Sequence, residues 1–384
     1  MIYPANFEEK IGFDRIREQV TALCPTPSAK AKLAEEGFST SADEIERRLS
    51  LMNEMRSLLM LERDFPDGDY PDPAPLVAKI RVEGSYLLAA EADQLRKALV
   101  TVGAIAEFIL GRGGARYPRL WELSRRVTLF PEIVRAIDVI LDDRGEVKDS
   151  ASPELQQVRR AIREREGQAA KRLQQVLQRA KQAGIVDADA VLSVRDGRPV
   201  IPVAAANKRK LQGFIHDESA TGRTFYVEPV EVVEINNELK ELEYAERREV
   251  VKVLSAFTES IRPDAEAIAD AGDYLSSVDM IRAKARWALA NDAGKPILST
   301  DDRLELRTAR HPLLQQTLRA QGREVVPLDL ALDRRKHILV ISGPNAGGKS
   351  VCLKTTGLMQ YLFQCGYPVP ASEVSELPVF RSIF

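Results

Sequence analysis

Cysteine is scarce in this chain: Cys24, Cys352 and Cys365 are the only three among 384 residues, and no two are spaced as CxxC. Such sparse spacing gives neither a disulfide framework nor a thiolate metal site, and it suits a reducing compartment. Histidine is equally rare, at His216, His311 and His337, so a His/Cys zinc centre lacks a ligand set. No window approaches 18 consecutive apolar residues, and the opening MIYPANFEEK lacks the basic-then-apolar pattern of a secretory leader. Neither membrane spanning nor export is expected, and the cytoplasm is the expected location. Charge of one sign is also missing overall, since 55 Lys+Arg meet 57 Asp+Glu for a net charge of -2. A nucleic-acid partner would therefore have to be met by a local patch. With 44% hydrophobic and 29% charged residues the length suits two or three ordinary globular domains.

What is present begins with helical periodicity through the first 150 residues. Ile45, Leu49, Met52, Met55 and Leu59 recur at three- and four-residue spacing, as do Leu95, Leu99, Val102 and Ile105, with breaks at FPDGDYPDPAP and GRGGARYP. This predicts a helical domain over 1–150 in which the charges are solvated faces. A sharp start signal follows at Ser152-Pro153-Glu154, with a capping hydroxyl, a proline suited to the first turn and an acid at the positive helix end. A long helix to about Ala183 is predicted, ended by Gly184.

From about Asp189 to Glu228 the period changes to two. VLSV, RPVIPV, LQGFIH and RTFYVEP are divided by turn formers at Asp196-Gly197, Ala206-Asn207 and Thr221-Gly222, which predicts β-hairpins. A second long helix is predicted after Glu228-Pro229, and a third around Tyr274 to Leu289. The pattern is a long arm over 151–270 with a hairpin tip at about 185–228. Its charge is segregated: residues 159–223 hold 14 Lys/Arg against 7 Asp/Glu, and residues 228–250 hold 8 acids against 3 bases. Arg195, Arg198, Lys208, Arg209, Lys210 and Arg223 lie on or beside the hairpins. They either meet the phosphates of a nucleic acid or pair with the acidic helix opposite.

One motif carries chemistry. The β-branched run His337–Ile341 precedes Gly343-Pro344-Asn345-Ala346-Gly347-Gly348-Lys349-Ser350, and the helix-like VCLKTTGLMQYLFQ follows. Strand, G-x-x-x-x-G-K-[ST] loop and helix together predict a phosphate loop. Its backbone amides and helix end would cradle phosphates, Lys349 would reach the β- and γ-phosphates of ATP, and Ser350 would ligate Mg²⁺. Hydrolysis needs in addition an acid at the end of another strand. Beyond Ser350 the only acids are Glu373 and Glu376, in turn-rich SEVSELPVF. The chain is therefore expected to stop inside its ATPase domain, to bind nucleotide weakly and not to hydrolyse it.

The phosphate loop, together with Ala309-Arg310-His311-Pro312-Leu313-Leu314, resembles the MutS family of DNA-binding ATPases. Glu146–Leu155, His216–Gly222, Val227-Glu228-Pro229 and Glu234-Ile235-Asn236-Asn237-Glu238 resemble its type-two subfamily. The resemblance implies a fold that is mainly α with a small β-hairpin clamp insertion, followed over 271–384 by a partial α/β ABC-like ATPase domain. It implies a homodimer formed through the ATPase domain, a clamp on branched or recombination-intermediate DNA, and suppression of homologous recombination. For some members it implies binding to ribosomes and their RNA to rescue stalled translation. The C-terminal Smr endonuclease domain of the subfamily has no counterpart in these residues. Val325 and Val326 correspond to the positions on which adenine rests. The sequence departs from the family pattern at Leu328, where Asn is usual, and at Ala346, where Thr or Met is usual. His311 is expected as a structural histidine beside Pro312, His216 as a hydrogen-bonded partner of Asp217, and Cys352 and Cys365 as buried packing residues.

Overall fold

The computed structural model describes residues 2–195, 197–344 and 348–384. Helices dominate. In chain order they are α1 (Phe7–Ile11), α2 (Phe13–Ala22), α3 (Pro27–Glu35), α4 (Ala42–Leu61), α5 (Ala74–Ile80), α6 (Ala89–Gly111), α7 (Pro118–Ser124), α8 (Pro131–Ile140) and α9 (Pro153–Gln182). Four strands follow, β1 (Ser193–Arg195), β2 (Arg198–Ala204), β3 (Gly213–Glu218) and β4 (Thr224–Pro229), then α10 (Val230–Ile261) and α11 (Ala265–Ala290). The remainder is β5 (Ile297–Leu298), β6 (Leu304–Ala309), α12 (Pro312–Arg319), β7 (Leu328–Leu332), α13 (Lys349–Gln364) and β8 (Glu376–Leu377). No helix among the described residues is long and apolar enough to cross a membrane.

The chain divides into two compact units. The first gathers residues 1–82, 94–134 and 262–384, and the second gathers 83–93 and 135–261. In the first unit one core joins Phe13, Ile16, Leu33, Ile45 and Met52 of the early helices to Leu358, Leu362, Phe363 and Tyr367 near the end of the chain. A neighbouring core packs Met55, Leu58, Val102, Ile105 and Leu120 around Tyr274, Leu275 and Val278 of α11. Between Tyr274 and Ala288 nearly every residue of α11 is buried, as in a central helix. It is longer than its periodicity predicts because Ala265, Ile268 and Ala271 extend the buried face toward the N-terminus.

Charges on α11 are buried only because each finds partners. Asp279 accepts hydrogen bonds from the Thr26 amide at 3.1 Å, the Thr26 hydroxyl at 2.7 Å and Arg282 at 3.1 Å. Arg282 also reaches Asp67 at 2.7 Å and lies 4.0 Å from the centre of the Tyr70 ring. A small mixed sheet of order β5-β8-β6-β7 completes this unit, with β5 and β8 parallel and the other pairs antiparallel.

The second unit contains α9, β1–β4 and α10, the elements of the expected arm up to Ile261. Ser152 caps α9 through a hydrogen bond from the Leu155 amide to its Oγ at 3.0 Å, and Pro153 occupies the first turn, as the sequence predicts. Ion pairs Arg159–Glu246 at 2.7 Å and Arg165–Glu238 at 2.8 Å show that α9 and α10 run antiparallel with basic and acidic faces meeting. The strands form an antiparallel sheet of order β1-β2-β4-β3. Alternation decides its faces: Ile201, Val203 and Val227 pack with Leu173, Val176, Leu177, Ala180 and Val232 of the helices.

Candidate functional site

The glycine-rich segment read in the sequence as a phosphate loop leads into α13. Gly348 stands immediately before the helix with φ of +87°, a conformation that a residue with a side chain adopts only with strain, and Lys349 begins the helix. The Cys352 amide donates to the Gly348 carbonyl at 2.9 Å, and the amides of Lys349, Ser350 and Val351 at the helix end have no acceptor among the described residues. Lys349 Nζ donates to the carbonyl of Pro344 at 2.9 Å and to that of Gly343. The Ser350 side chain is exposed, with no partner among the described residues. Asn345, Ala346 and Gly347 lie outside the described residues. The donor set fits a polyphosphate: an ammonium, a hydroxyl and helix-end amides converge on one loop.

Two sequence expectations around the loop are corrected. His337–Ile341 forms no strand, and Ile338 and Val340 are 75% and 82% exposed. A strand exists only where a neighbour accepts its ladder, and no described strand pairs with this run. Cys352 is half-buried on the loop-proximal part of α13, whereas Cys365, one turn beyond the helix's apolar centre, is fully buried and its thiol is pushed up to about 12 by that burial. Val325 and Val326 lie in irregular chain before β7, the first half-buried and the second 88% exposed. For Mg²⁺ the described residues supply Ser350 alone. Glu373 is paired with Arg56, and Glu376 faces Arg303 at 3.9 Å. No group of three or more His, Cys, Asp or Glu that could hold a metal occurs among the described residues.

His311 precedes α12. Burial lowers its pKa, a hydrogen bond to the backbone of Ile11 opposes that effect, and its Nδ1 has no partner. The ring is thus a half-satisfied group among the described residues.

In the arm, the six candidate phosphate contacts fall into two sets. Arg198 and Ala204 begin and end β2, so their ends lie roughly 20 Å apart at the rise of a strand. At the first end the arginines are engaged. Arg198 Nη1 bridges both oxygens of Glu228 at 2.9 and 3.0 Å, and Nη2 donates to Asn237 at 3.0 Å. Arg195 pairs with Asp217 at 2.9 Å and stacks 3.9 Å from the centre of Tyr226.

At the other end two turns meet, tied by the Ala204–Thr224 pairing and the Ala205 amide to the Arg223 carbonyl at 2.9 Å. Lys208, Arg209, Lys210 and Arg223 are all exposed there, and none has a carboxylate partner among the described residues. Lys208 Nζ lies 4.3 Å from the centre of Phe225, so cation and aromatic ring share one surface. This end presents positive charge that no carboxylate among the described residues neutralises.

Sequence reasoning missed the hub between the two sets. Glu228 is 1% exposed and accepts from His216 Nε2 at 2.6 Å and Asn236 at 2.6 Å in addition to Arg198. Burial works against its charge, but the bonds from Asn236, His216 and Arg198 outweigh it and hold the carboxyl below its ordinary range. His216 therefore pairs with Glu228, not with the adjacent Asp217. The β-bulge between Ile215 and Asp217 sets the ring toward β4, while Asp217 turns to Arg195.

No protein-family model matches the chain. Among curated proteins it is 33% identical over 374 residues to the Endonuclease MutS2 of Bacillus velezensis, covering 97% of this chain and 47% of that protein. It is 34% identical over 385 residues to the Endonuclease MutS2 of Thermomicrobium roseum and 32% identical over 374 residues to the Putative endonuclease MutS2 of Bacillus subtilis, with the same shares. The chain spans about half the length of these curated relatives.

Proposed function

We propose that the chain, which is 33% identical to a MutS2 protein over 97% of its own length, is the ATP-binding and nucleic-acid-clamping part of a MutS2-type machine acting on branched DNA. The observation that carries this reading is the pairing of two chemistries in one polypeptide: a Lys349–Ser350 helix end suited to a polyphosphate, and an arm whose sheet presents Lys208, Arg209, Lys210 and Arg223 without acidic partners. Lys349 would leave its loop carbonyls for the β- and γ-phosphates. Ser350 would take one position on Mg²⁺, which neutralises phosphate charge when bound. The exposed Val326 with Val325 would offer an apolar surface to the adenine ring. Binding rather than hydrolysis is the activity these residues support, because Glu373 and Glu376 are both turned to arginines. Residues 271–384 are read as the portion of an ABC-like ATPase domain that carries the loop, and dimerisation through that domain belongs to the same proposal. The endonuclease activity for which the relatives are named is not assigned to any described residue.

Two titrations test the reading. A fluorescent ATP analogue with Mg²⁺ is expected to bind, and Lys349→Ala to weaken it at least tenfold; an unchanged isotherm would overturn the nucleotide site. A labelled four-way junction is expected to bind more tightly than duplex of equal length, with Lys208, Arg209, Lys210 and Arg223 all changed to Ala removing the preference. Equal binding of both DNAs alongside co-sedimentation with ribosomes would move the target from DNA to ribosomal RNA.

A further inference from the structure

The sheet of the arm has an open edge at β3. Its first three residues, Gly213, Phe214 and Ile215, are exposed, with Phe214 at 59% and Ile215 at 51%. As the last strand of the order β1-β2-β4-β3, it turns alternate backbone N–H and C=O groups away from β4 with no strand beyond it among the described residues. Sheets usually blunt such an edge. Here the blunting is partial: a bulge after Ile215 and the acids Asp217 and Glu218 occupy the far half, and the near half is flat and apolar. Gly213 fixes that near end, because a Cβ there would sit 2.2 Å from the Glu228 carbonyl oxygen.

Beside this edge lies a groove of about 470 Å³ between Phe214 and α10. Val230 and Val233 continue its apolar surface, and Glu234, Glu238 and Glu241 form its wall. Their spacing of four and three residues places the three carboxylates along one helix face. Glu238 pairs with Arg165, but Glu234 and Glu241 have no cation among the described residues. This end of the sheet is opposite the Lys208–Arg223 turns, so phosphate would be repelled where a cationic chain would be drawn in.

We propose that the Gly213–Ile215 edge and the Glu234/Glu238/Glu241 face of α10 form a docking site for an extended basic peptide, which adds to the sheet as a fifth strand. Backbone hydrogen bonds to β3 supply affinity. Alternate side chains are read by the groove, apolar ones over Phe214, Val230 and Val233, and Lys or Arg against Glu234 and Glu241. The site does not depend on the nucleotide or DNA reading.

Fluorescence anisotropy on the 384-residue chain tests it with three labelled octapeptides: alternating Lys and Val, alternating Glu and Val, and the Lys–Val peptide N-methylated at alternate residues so that it cannot pair as a strand. The Lys–Val peptide is expected to bind at least tenfold tighter than either other. The double variant Glu234→Lys, Glu241→Lys is expected to lose that binding at least tenfold and to gain the Glu–Val peptide, with an unchanged melting temperature because both positions are exposed. Equal binding of the N-methylated peptide would reduce the site to charge attraction and overturn strand addition. Unchanged affinity in the double variant would overturn the groove. A concentration-dependent dimer in sedimentation that the same variant dissolves would assign the edge to a second copy of the chain and overturn the peptide reading.

Discussion

At the scale of single residues, Glu228 decides how the arm's charges are arranged. It is a buried carboxylate with three donors, and removing it would leave the Arg198 guanidinium without its acid. Glu228→Ala is expected to cost about 3–5 kcal/mol, the usual penalty for orphaning one side of a buried pair, read as a lowered urea midpoint. Because its folded pKa is held below the ordinary value of 4.5, the stabilisation is present above that value and is lost as pH falls through the folded pKa. Melting temperature measured from pH 6 downward is expected to drop below about pH 4.5, and the Glu228→Ala variant to show a flatter profile there. Little of this was legible beforehand. His216 stands beside Asp217 in the sequence, and only strand register and a bulge reveal that its partner is twelve residues away. The Gly343–Ser350 motif can be read as a motif because its residues are contiguous, and the nucleotide role proposed for it is what the Lys349→Ala titration tests.

At the scale of elements, local signals were sufficient wherever a helix or hairpin contains its own reasons. The Ser152-Pro153-Glu154 start of α9 and the four strands of the arm follow from capping, turn formers and alternation within a few residues of each other. Ser152→Ala is expected to cost about 1 kcal/mol, since it removes the one side-chain acceptor for the Leu155 amide, and urea denaturation followed at 222 nm measures it. What local pattern could not supply is pairing between distant segments. The ladder of β5 with β8 joins Ile297 to Glu376, and nothing in either dipeptide announces the other. The same limit explains His337–Ile341. Its β-branched residues favour a strand, but propensity without a hydrogen-bonding neighbour leaves the run irregular and exposed.

At the scale of the whole molecule, the two compact units are built on separate apolar cores. Calorimetry is therefore expected to resolve more than one transition, and Leu177→Ala, a deletion inside the arm's core, to lower one transition by an amount equivalent to about 2–5 kcal/mol while leaving another in place. The net charge of -2 is equally uninformative about function, because it averages a basic turn pair against an acidic helix. If Lys208, Arg209, Lys210 and Arg223 each meet one phosphate, the slope of log affinity against log salt is expected to fall by roughly 3–4 when all four become Ala, at about 0.9 per contact. Titrations of junction DNA at several salt concentrations give that slope directly. Which helices share a core was not readable from periodicity, since Phe13 and Tyr367 carry no mark of meeting.

Lys349 already has acceptors within its own loop. Its ammonium donates to the carbonyls of Gly343 and Pro344, so in the proposed nucleotide site a phosphate would trade one set of charge-assisted bonds for another, each worth about 1.5–3 kcal/mol. Affinity is then an exchange, smaller than the phosphate contacts alone would suggest.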